Sequence, residues 1–243
     1  MTRRTDIPRI IGHRGAMGHA PENTLAGIRK AKDLGCDWVE VDLMLTADPV
    51  LILHHDETLE RTTSGLGPVS ETPLAEIREF DAGSWFSPEF VGARVPTFDE
   101  TVAALRALNM GANLEIKPTK GYEVATGEAV GRRTAEIWPS DLPPPVLSSF
   151  SLEALEASMR VAPGLDRAIL WEEVPKDWRD HHDRLGASAV HVGVRKLTEA
   201  QARAFTDAGV PFRSYTVNEP ADAGRLFSWG CEAIFTDFPD RFL

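Results

Sequence analysis

Histidines, basic residues and carboxylates stand at the ends of several apolar runs in this sequence. The stretch "RIIGH" (9–13) closes on His13 with Arg14 directly after it, and "PVLILHHD" (49–56) closes on His54 and His55. Glu40 and Asp42 sit two apart in "WVEVD" (38–42), and Glu115 and Lys117 sit two apart in "NLEIK" (113–117). Residues two apart on a strand share a face, so each pair projects to one side. Three carboxylates brought together call for a counter-charge, and oxygen-only donors suit one hard divalent cation, Mg²⁺ or Ca²⁺. The same spacing serves ion pairing of Glu40 and Asp42 with Lys117 and Arg14, and the residue types leave both readings open. Beside such a cluster, His13 and His55 have the chemistry of a general acid and base, each worth roughly 10²- to 10⁴-fold in rate. His54 falls on the opposite face, while His19, His181 and His182 lie in loop or helical contexts.

Positioning these groups requires a framework that gathers strand ends, and the chain carries a weak repeat that does so. An amphipathic stretch ends at glycine, and a short apolar strand follows that finishes on polar residues. The pattern recurs in "LGCDWVEVD" (34–42), "MGANLEIK" (110–117), "LGASAVHV" (185–192), "AGVPFRSYT" (208–216) and "WGCEAIFTD" (229–237). With "RIIGH", "PVLSSF" (145–150) and "LDRAILW" (165–171) the strands reach eight, the number in a (β/α)8 TIM barrel. A doubly wound sheet is the alternative, but no glycine-rich dinucleotide fingerprint follows the first strand. Residues 56–95 are too long for an ordinary connection and read as a small insertion after strand 2 of a single barrel domain spanning 1–243. Strand ends in a barrel meet at one mouth, where Phe150, Tyr215, Ser149, Trp171 and His191 are further candidates for the wall. "APENT" (20–24) reads as a helix start with Pro and Asn in capping positions, and Glu22 is placed to orient Arg14.

Composition narrows the partners. A net charge of −11 argues against nucleic acid or an anionic membrane surface, but not against a small anion held by local positive charge such as Arg14 and Lys117. No run approaches the roughly 18 apolar residues of a membrane span, so stable membrane insertion is not expected. The basic N-terminal stretch leads straight into a strand without a secretory h-region, which makes a cytoplasmic location the expectation. Cys36 and Cys231 read as small packing residues, and oligomeric state is left open.

Taken in order, "HRG" with "PENT" (13–24), "VEVDLMLTAD" (39–48), "LHHDETLERTTSG" (53–65), "VPTFDE" (95–100), "LEIKP" (114–118), "LSSF" (147–150), "YTVN" (215–218) and "FTDFPD" (235–240) resemble the glycerophosphodiester phosphodiesterase family, closest to its cytoplasmic bacterial type. The resemblance spans nearly the whole chain. It implies a (β/α)8 barrel that hydrolyses a glycerophosphodiester to glycerol 3-phosphate and an alcohol. It also implies His13 and His55 as the acid/base pair, Glu40, Asp42 and Glu115 as metal ligands, and Arg14 and Lys117 as phosphate contacts. Tyr215 would border the glycerol pocket. In "HVGVRKLT" (191–198) the pattern departs from many relatives, with Gly193 where Asn is expected. A phospholipase D-like activity on lysophospholipid head groups and a non-catalytic phosphate-binding barrel are the competing classes.

Overall fold

A computed structural model describes residues 7–243. Residues 1–6, which carry the basic N-terminal stretch behind the expected cytoplasmic location, lie outside it. Eight parallel strands close into a barrel: β1 (Ile10–Gly12), β2 (Trp38–Leu45), β4 (Gly111–Ile116), β5 (Val146–Ser149), β6 (Asp166–Trp171), β7 (Ala189–Gly193), β8 (Phe212–Tyr215) and β9 (Ala233–Thr236). Each pairs with the next, and closure comes from β1 lying between β9 (Ile11 opposite Phe235) and β2 (Gly12 opposite Val39). The TIM barrel expected from the repeat is therefore present, with six barrel strands inside the segments expected for them and β2 and β7 running past theirs to Leu45 and Gly193.

Helices α1 (Leu25–Asp33), α3 (Phe98–Leu108), α4 (Glu123–Ile137), α5 (Leu152–Val161), α6 (Trp178–Leu185), α7 (Glu199–Asp207) and α8 (Pro220–Ser228) follow successive barrel strands; a short helix, α2 (Leu74–Ile77), belongs to the excursion described below. Their starts are chemically marked. Thr24, Thr97, Ser151 and Thr198 accept backbone N–H groups of the first turn, each such cap being worth about 1 kcal/mol. Thr24 is thus the cap of α1, which frees Asn23 for another task.

Two apolar layers hold the framework. One lies between strands and helices, built from residues such as Val41, Leu114, Ile169, Phe205 and Leu226. The other fills the barrel interior below the mouth with Ile11, Trp38, Val146, Ala168, Ala189, Ala233 and Phe235. Trp38 sets the packing there: a Cβ at residue 111 would stand 2.3 Å from its indole, so β4 must begin on glycine.

The excursion from the barrel is larger than the sequence suggested. The apolar run before His54 forms a ninth strand, β3 (Leu51–Leu53), antiparallel to β2 with Leu43 opposite Leu53. Its far edge is held by Leu53 N donating to Pro96 O at 3.0 Å. The departure therefore begins at the turn after β2 rather than at residue 56. Met44, Ile52, Leu59, Val69, Ile77, Ala82 and Val95 give the excursion a small core of its own against β2. That packing fixes the chain direction at the end of β3, where His55 follows. Cys36 and Cys231 are buried free thiols, as expected of packing residues. Among the described residues no helix is long and apolar enough to cross a membrane.

Candidate active site at the carboxyl end of the barrel

Glu40 and Asp42 leave β2 toward the mouth, and Glu115 leaves β4 beside them. One carboxylate oxygen from each lies within 4.8 Å of the others. All three are buried, at 4%, 1% and 7% exposure, where ionised groups are costly unless compensated. Compensation by protein groups is partial. Glu40 Oε2 accepts from Arg14 N at 3.0 Å, Arg14 Nε approaches Asp42 Oδ2 at 3.3 Å, and Lys117 Nζ approaches Glu115 Oε1 at 3.3 Å. Glu40 Oε1 has no hydrogen-bond partner, and Glu115 Oε1 has only the ion contact with Lys117.

The electrostatic consequence is uneven. Burial, with the charges of Asp42 and Glu115, pushes the Glu40 carboxyl well above the usual range. Burial and Asp42 push Glu115 up to about 7. Asp42 is held below its ordinary value against the burial effect, chiefly by Arg14, then His55 and Lys117. Asn23 fixes it further, its Nδ2 donating to Asp42 Oδ2 at 2.8 Å and its Oδ1 accepting from Asp42 N at 3.1 Å. Two short-loop residues take left-handed backbone to achieve this, Arg14 at φ 49° and Asn23 at φ 54°. Such strain, of order 1–3 kcal/mol per residue, is typical of functional loops.

The imidazoles are each anchored by a carboxylate. His13 Nδ1 is 2.7 Å from Asp237 Oδ1, and its Nε2 is 3.9 Å from Glu40 Oε2. Asp237 is in turn held by Asn218, whose Nδ2 donates to Asp237 Oδ2 at 2.7 Å and whose Oδ1 accepts from Asp237 N at 2.9 Å. His55 Nδ1 is 2.6 Å from Asp56 Oδ1, and its Nε2 accepts from Lys117 Nζ at 2.7 Å. An ammonium group only donates, so neutral His55 carries its proton on Nδ1. Burial lowers the His55 pKa, assisted by Arg14 and Lys117.

Arg61 joins the two halves of this support. It donates to both oxygens of Glu22, at 2.7 and 2.8 Å, and also to Asp56. Glu22 Oε1 also accepts from Arg14 Nη1 at 2.7 Å. Around the site six carboxylates (Glu22, Glu40, Asp42, Asp56, Glu115, Asp237) face three cationic side chains (Arg14, Arg61, Lys117), and the cavity wall adds one of each, Glu172 and Arg195. Ion pairing alone therefore leaves a negative excess, and the carboxylate oxygens without hydrogen bonds fit a bound divalent cation.

A cavity of about 350 Å³ opens over these groups, lined on one side by His13, Arg14, Glu40, His55, Glu115 and Lys117. Phe150 and Tyr215 stand in its wall, edge to face with ring centres 5.8 Å apart. Burial, then the charges of Glu172 and Glu115, raise the Tyr215 phenol above its ordinary value. His191 also lines the cavity. Trp171 does not: Leu170 faces inward on β6, so the alternation turns Trp171 outward, against the His181 ring and the outer core. Ser149 is likewise turned away, its hydroxyl donating to Ile116 O at 2.6 Å.

Residues not singled out from sequence complete the arrangement: Asp237 and Asn218 behind His13, Asp56 and Arg61 behind His55, Asn23 behind Asp42, and Glu172 and Asn113 in the cavity wall. Asp237 and Asn218 fall in "FTDFPD" and "YTVN", and a polar residue directly after β9 and another three residues after β8 were the available signal.

Residues 13–241 match the model of the glycerophosphoryl diester phosphodiesterase family. The chain belongs to that family. This family member is 32% identical to a glycerophosphodiester phosphodiesterase of Bacillus subtilis, over 96% of its own length and 84% of the relative's. It is 35% identical to an Oleispira antarctica phosphodiesterase solved in complex with the product sn-glycerol-3-phosphate, with a TM-score of 0.93 and coverage of 96% and 94% of the two chains. A glycerophosphodiester phosphodiesterase of Agrobacterium tumefaciens aligns at 31% identity and TM-score 0.77, covering 97% and 99%. His13, Arg14, Glu40, His55, Glu115 and Lys117, which line the mouth of this phosphodiesterase barrel, all lie in motifs that suggested the family from sequence.

Proposed function

We propose that this enzyme hydrolyses glycerophosphodiesters to sn-glycerol 3-phosphate and an alcohol, using one divalent cation, Mg²⁺ or Ca²⁺. The observation that best supports this is the pairing of two carboxylate-anchored imidazoles with a three-carboxylate cluster around one cavity. Glu40, Asp42 and Glu115 would hold the cation, which when bound supplies positive charge against the phosphate oxygens. Arg14, fixed by Glu22, and Lys117 bind the phosphate from the same side and neutralise charge on its equatorial oxygens.

His13 and His55 divide the proton transfers: one takes the proton of the attacking water or glycerol 2-hydroxyl, the other protonates the departing alkoxide, which is a poor leaving group without that proton. Each imidazole gains charge or gives it up next to a carboxylate, Asp237 for His13 and Asp56 for His55. Each carboxylate holds its ring in one tautomer and stabilises the imidazolium form. Phe150 and Tyr215 form an aromatic wall of the same cavity, with Lys117 Nζ 5.8 Å from the Phe150 ring centre.

The expected result is release of sn-glycerol 3-phosphate from glycerophosphocholine, followed by ³¹P NMR, with loss of activity in EDTA and recovery on adding Mg²⁺ or Ca²⁺. Cleavage of lysophosphatidylcholine micelles without cleavage of glycerophosphocholine would replace this reading with the lysophospholipid one. Tight phosphate-ester binding without turnover in either metal would favour a binding protein.

A further inference from the structure

Arg61 belongs to the excursion rather than to the barrel, yet it is tied into the site from two directions. The turn that carries it is fixed on both sides. Leu59 and Thr62 are buried, Leu59 in the excursion's own core, and Thr63 closes the turn by donating to Leu59 O from its N at 3.1 Å and its hydroxyl at 2.7 Å. His54, the neighbour of His55, holds the same turn, with its Nε2 2.9 Å from Thr58 O. From there the guanidinium reaches out to Glu22, 39 residues earlier in the connection between β1 and α1.

Exposed ion pairs contribute little as a rule, and the Arg61 side chain is 45% exposed. Its partners set this one apart. Glu22 is buried, and its carboxylate lies between two guanidiniums: Nη1 and Nη2 of Arg61 donate to its two oxygens, and Arg14 Nη1 donates to Oε1 alone. The other edge of Arg61, Nε and Nη2, donates to the two oxygens of Asp56, and Asp56 Oδ1 is also the anchor of His55 Nδ1. One planar fork thus matches two carboxylates at once, which a lysine ammonium cannot do. Burial pushes the Glu22 carboxyl up, yet the hydrogen bonds from Arg61, with Arg14 beside them, hold it below its ordinary value, and Arg61 is the main cause that Asp56 is held low.

This sharing decides where the charge of Arg14 goes. Arg14 already faces Asp42 at 3.3 Å. A buried Glu22 with no other partner would claim the rest of that guanidinium, because an uncompensated buried charge is costly, and an arginine neutralised by two carboxylates attracts a phosphate weakly. With Glu22 matched by Arg61, Arg14 is oriented by one hydrogen bond and keeps charge for an anion. Asp56 is treated alike: its position is set by Arg61, and the His55 ring follows it.

We propose that Arg61 is a positioning residue for the reaction, a clasp from the excursion that balances Glu22 and Asp56 together and so holds Arg14 and His55 in one fixed relation to the phosphodiester. The assignment rests on the activity proposed above. It also gives the excursion a task in the site, because the core of the excursion places the turn that carries Arg61.

Steady-state kinetics on glycerophosphocholine and calorimetric titration with sn-glycerol 3-phosphate, both in Mg²⁺, test this on the wild type, Arg61→Ala and Arg61→Lys. Displacing a catalytic group by about 1 Å costs up to about 100-fold, so Arg61→Ala should lower kcat by at least about tenfold and weaken product binding by at least about threefold. Mg²⁺ affinity should be unchanged, because the bonds of Arg61 go to Glu22 and Asp56 and not to the three carboxylates. The vacated place opens to solvent, so millimolar methylguanidinium should restore part of the kcat of Arg61→Ala and leave the wild type unaffected, which a purely structural role does not allow. Arg61→Lys should fall between the wild type and alanine. A folded Arg61→Ala that loses only melting temperature would overturn the assignment; where alanine prevents folding, wild-type kcat and affinity in Arg61→Lys would do the same. Affinity is read without turnover: a wild type that binds sn-glycerol 3-phosphate but cleaves no glycerophosphodiester counts against the proposed activity, and weakened binding in Arg61→Ala still supports the clasp at Arg14.

Discussion

Replacing His13 by alanine lowers kcat for glycerophosphocholine by roughly 10²- to 10⁴-fold, the range that loss of a general acid or base produces. The protein stays folded and keeps its response to divalent cations, because His13 approaches Glu40 no closer than 3.9 Å and the three carboxylates are held by other groups. His55→Ala behaves alike. Asp237→Asn separates positioning from chemistry. The amide can donate to His13 Nδ1, which moves the ring proton to Nε2 and removes the base facing the cavity, so a fall of similar size is expected with little change in KM. Asp237→Glu, which keeps the carboxylate, should recover part of the rate. Steady-state kinetics on the four variants checks this; near-wild-type kcat in His13→Ala would remove it from the proton transfers.

Glu115→Gln trades function for stability. In the protein without metal the Glu115 pKa is pushed up to about 7 by burial and by Asp42. A carboxyl whose folded pKa lies above its unfolded value costs stability once pH rises past the unfolded pKa, and the cost is fully developed above the folded one. At pH 8 the amide therefore relieves a penalty of about 1–3 kcal/mol, and the metal-free variant should melt about 3 °C or more above the metal-free wild type. Saturating Mg²⁺ or Ca²⁺ should reverse the order. Binding at 100 times Kd adds about 2.7 kcal/mol to the wild type, while the variant gains little. Turnover should fall by at least about 100-fold, more than loss of a group supporting a metal ligand produces. Differential scanning fluorimetry with and without EDTA reads both effects. A variant less stable than wild type in EDTA would mean that Lys117 compensates Glu115 fully, leaving no deficit for a cation to fill.

Much of this arrangement is written in local sequence. The glycines closing helices and the short apolar runs after them mark five of the eight strands, apolar runs alone mark the other three, and the alternation on β2 and β4 sets which side Glu40, Asp42, Glu115 and Lys117 face. What escaped depends on contacts far apart in the chain. Asp237 meets His13 only because closure of the barrel lays β9 beside β1, a sequence separation of 224 residues. Asn23 reads locally as a helix cap; its bond to Asp42 exists because Thr24 performs the capping. The run 49–56 is too short to reveal an antiparallel partner, and β3 forms because Leu51, Ile52 and Leu53 find β2 and the excursion's own core. Trp171 shows the cost of a one-residue shift on a strand: its neighbours Leu170 and Glu172 face the cavity and it does not.

The central claim is that one cation, held by Glu40, Asp42 and Glu115, brings a phosphodiester to the two histidines. Crystals soaked in Mn²⁺, an oxygen-seeking stand-in for Mg²⁺, locate it directly through anomalous scattering. The account predicts one strong peak at the mouth of the barrel, about 2.0–2.6 Å from an oxygen of each of the three carboxylates. Active protein whose crystals show no peak there, or a peak that touches none of the three, would contradict it.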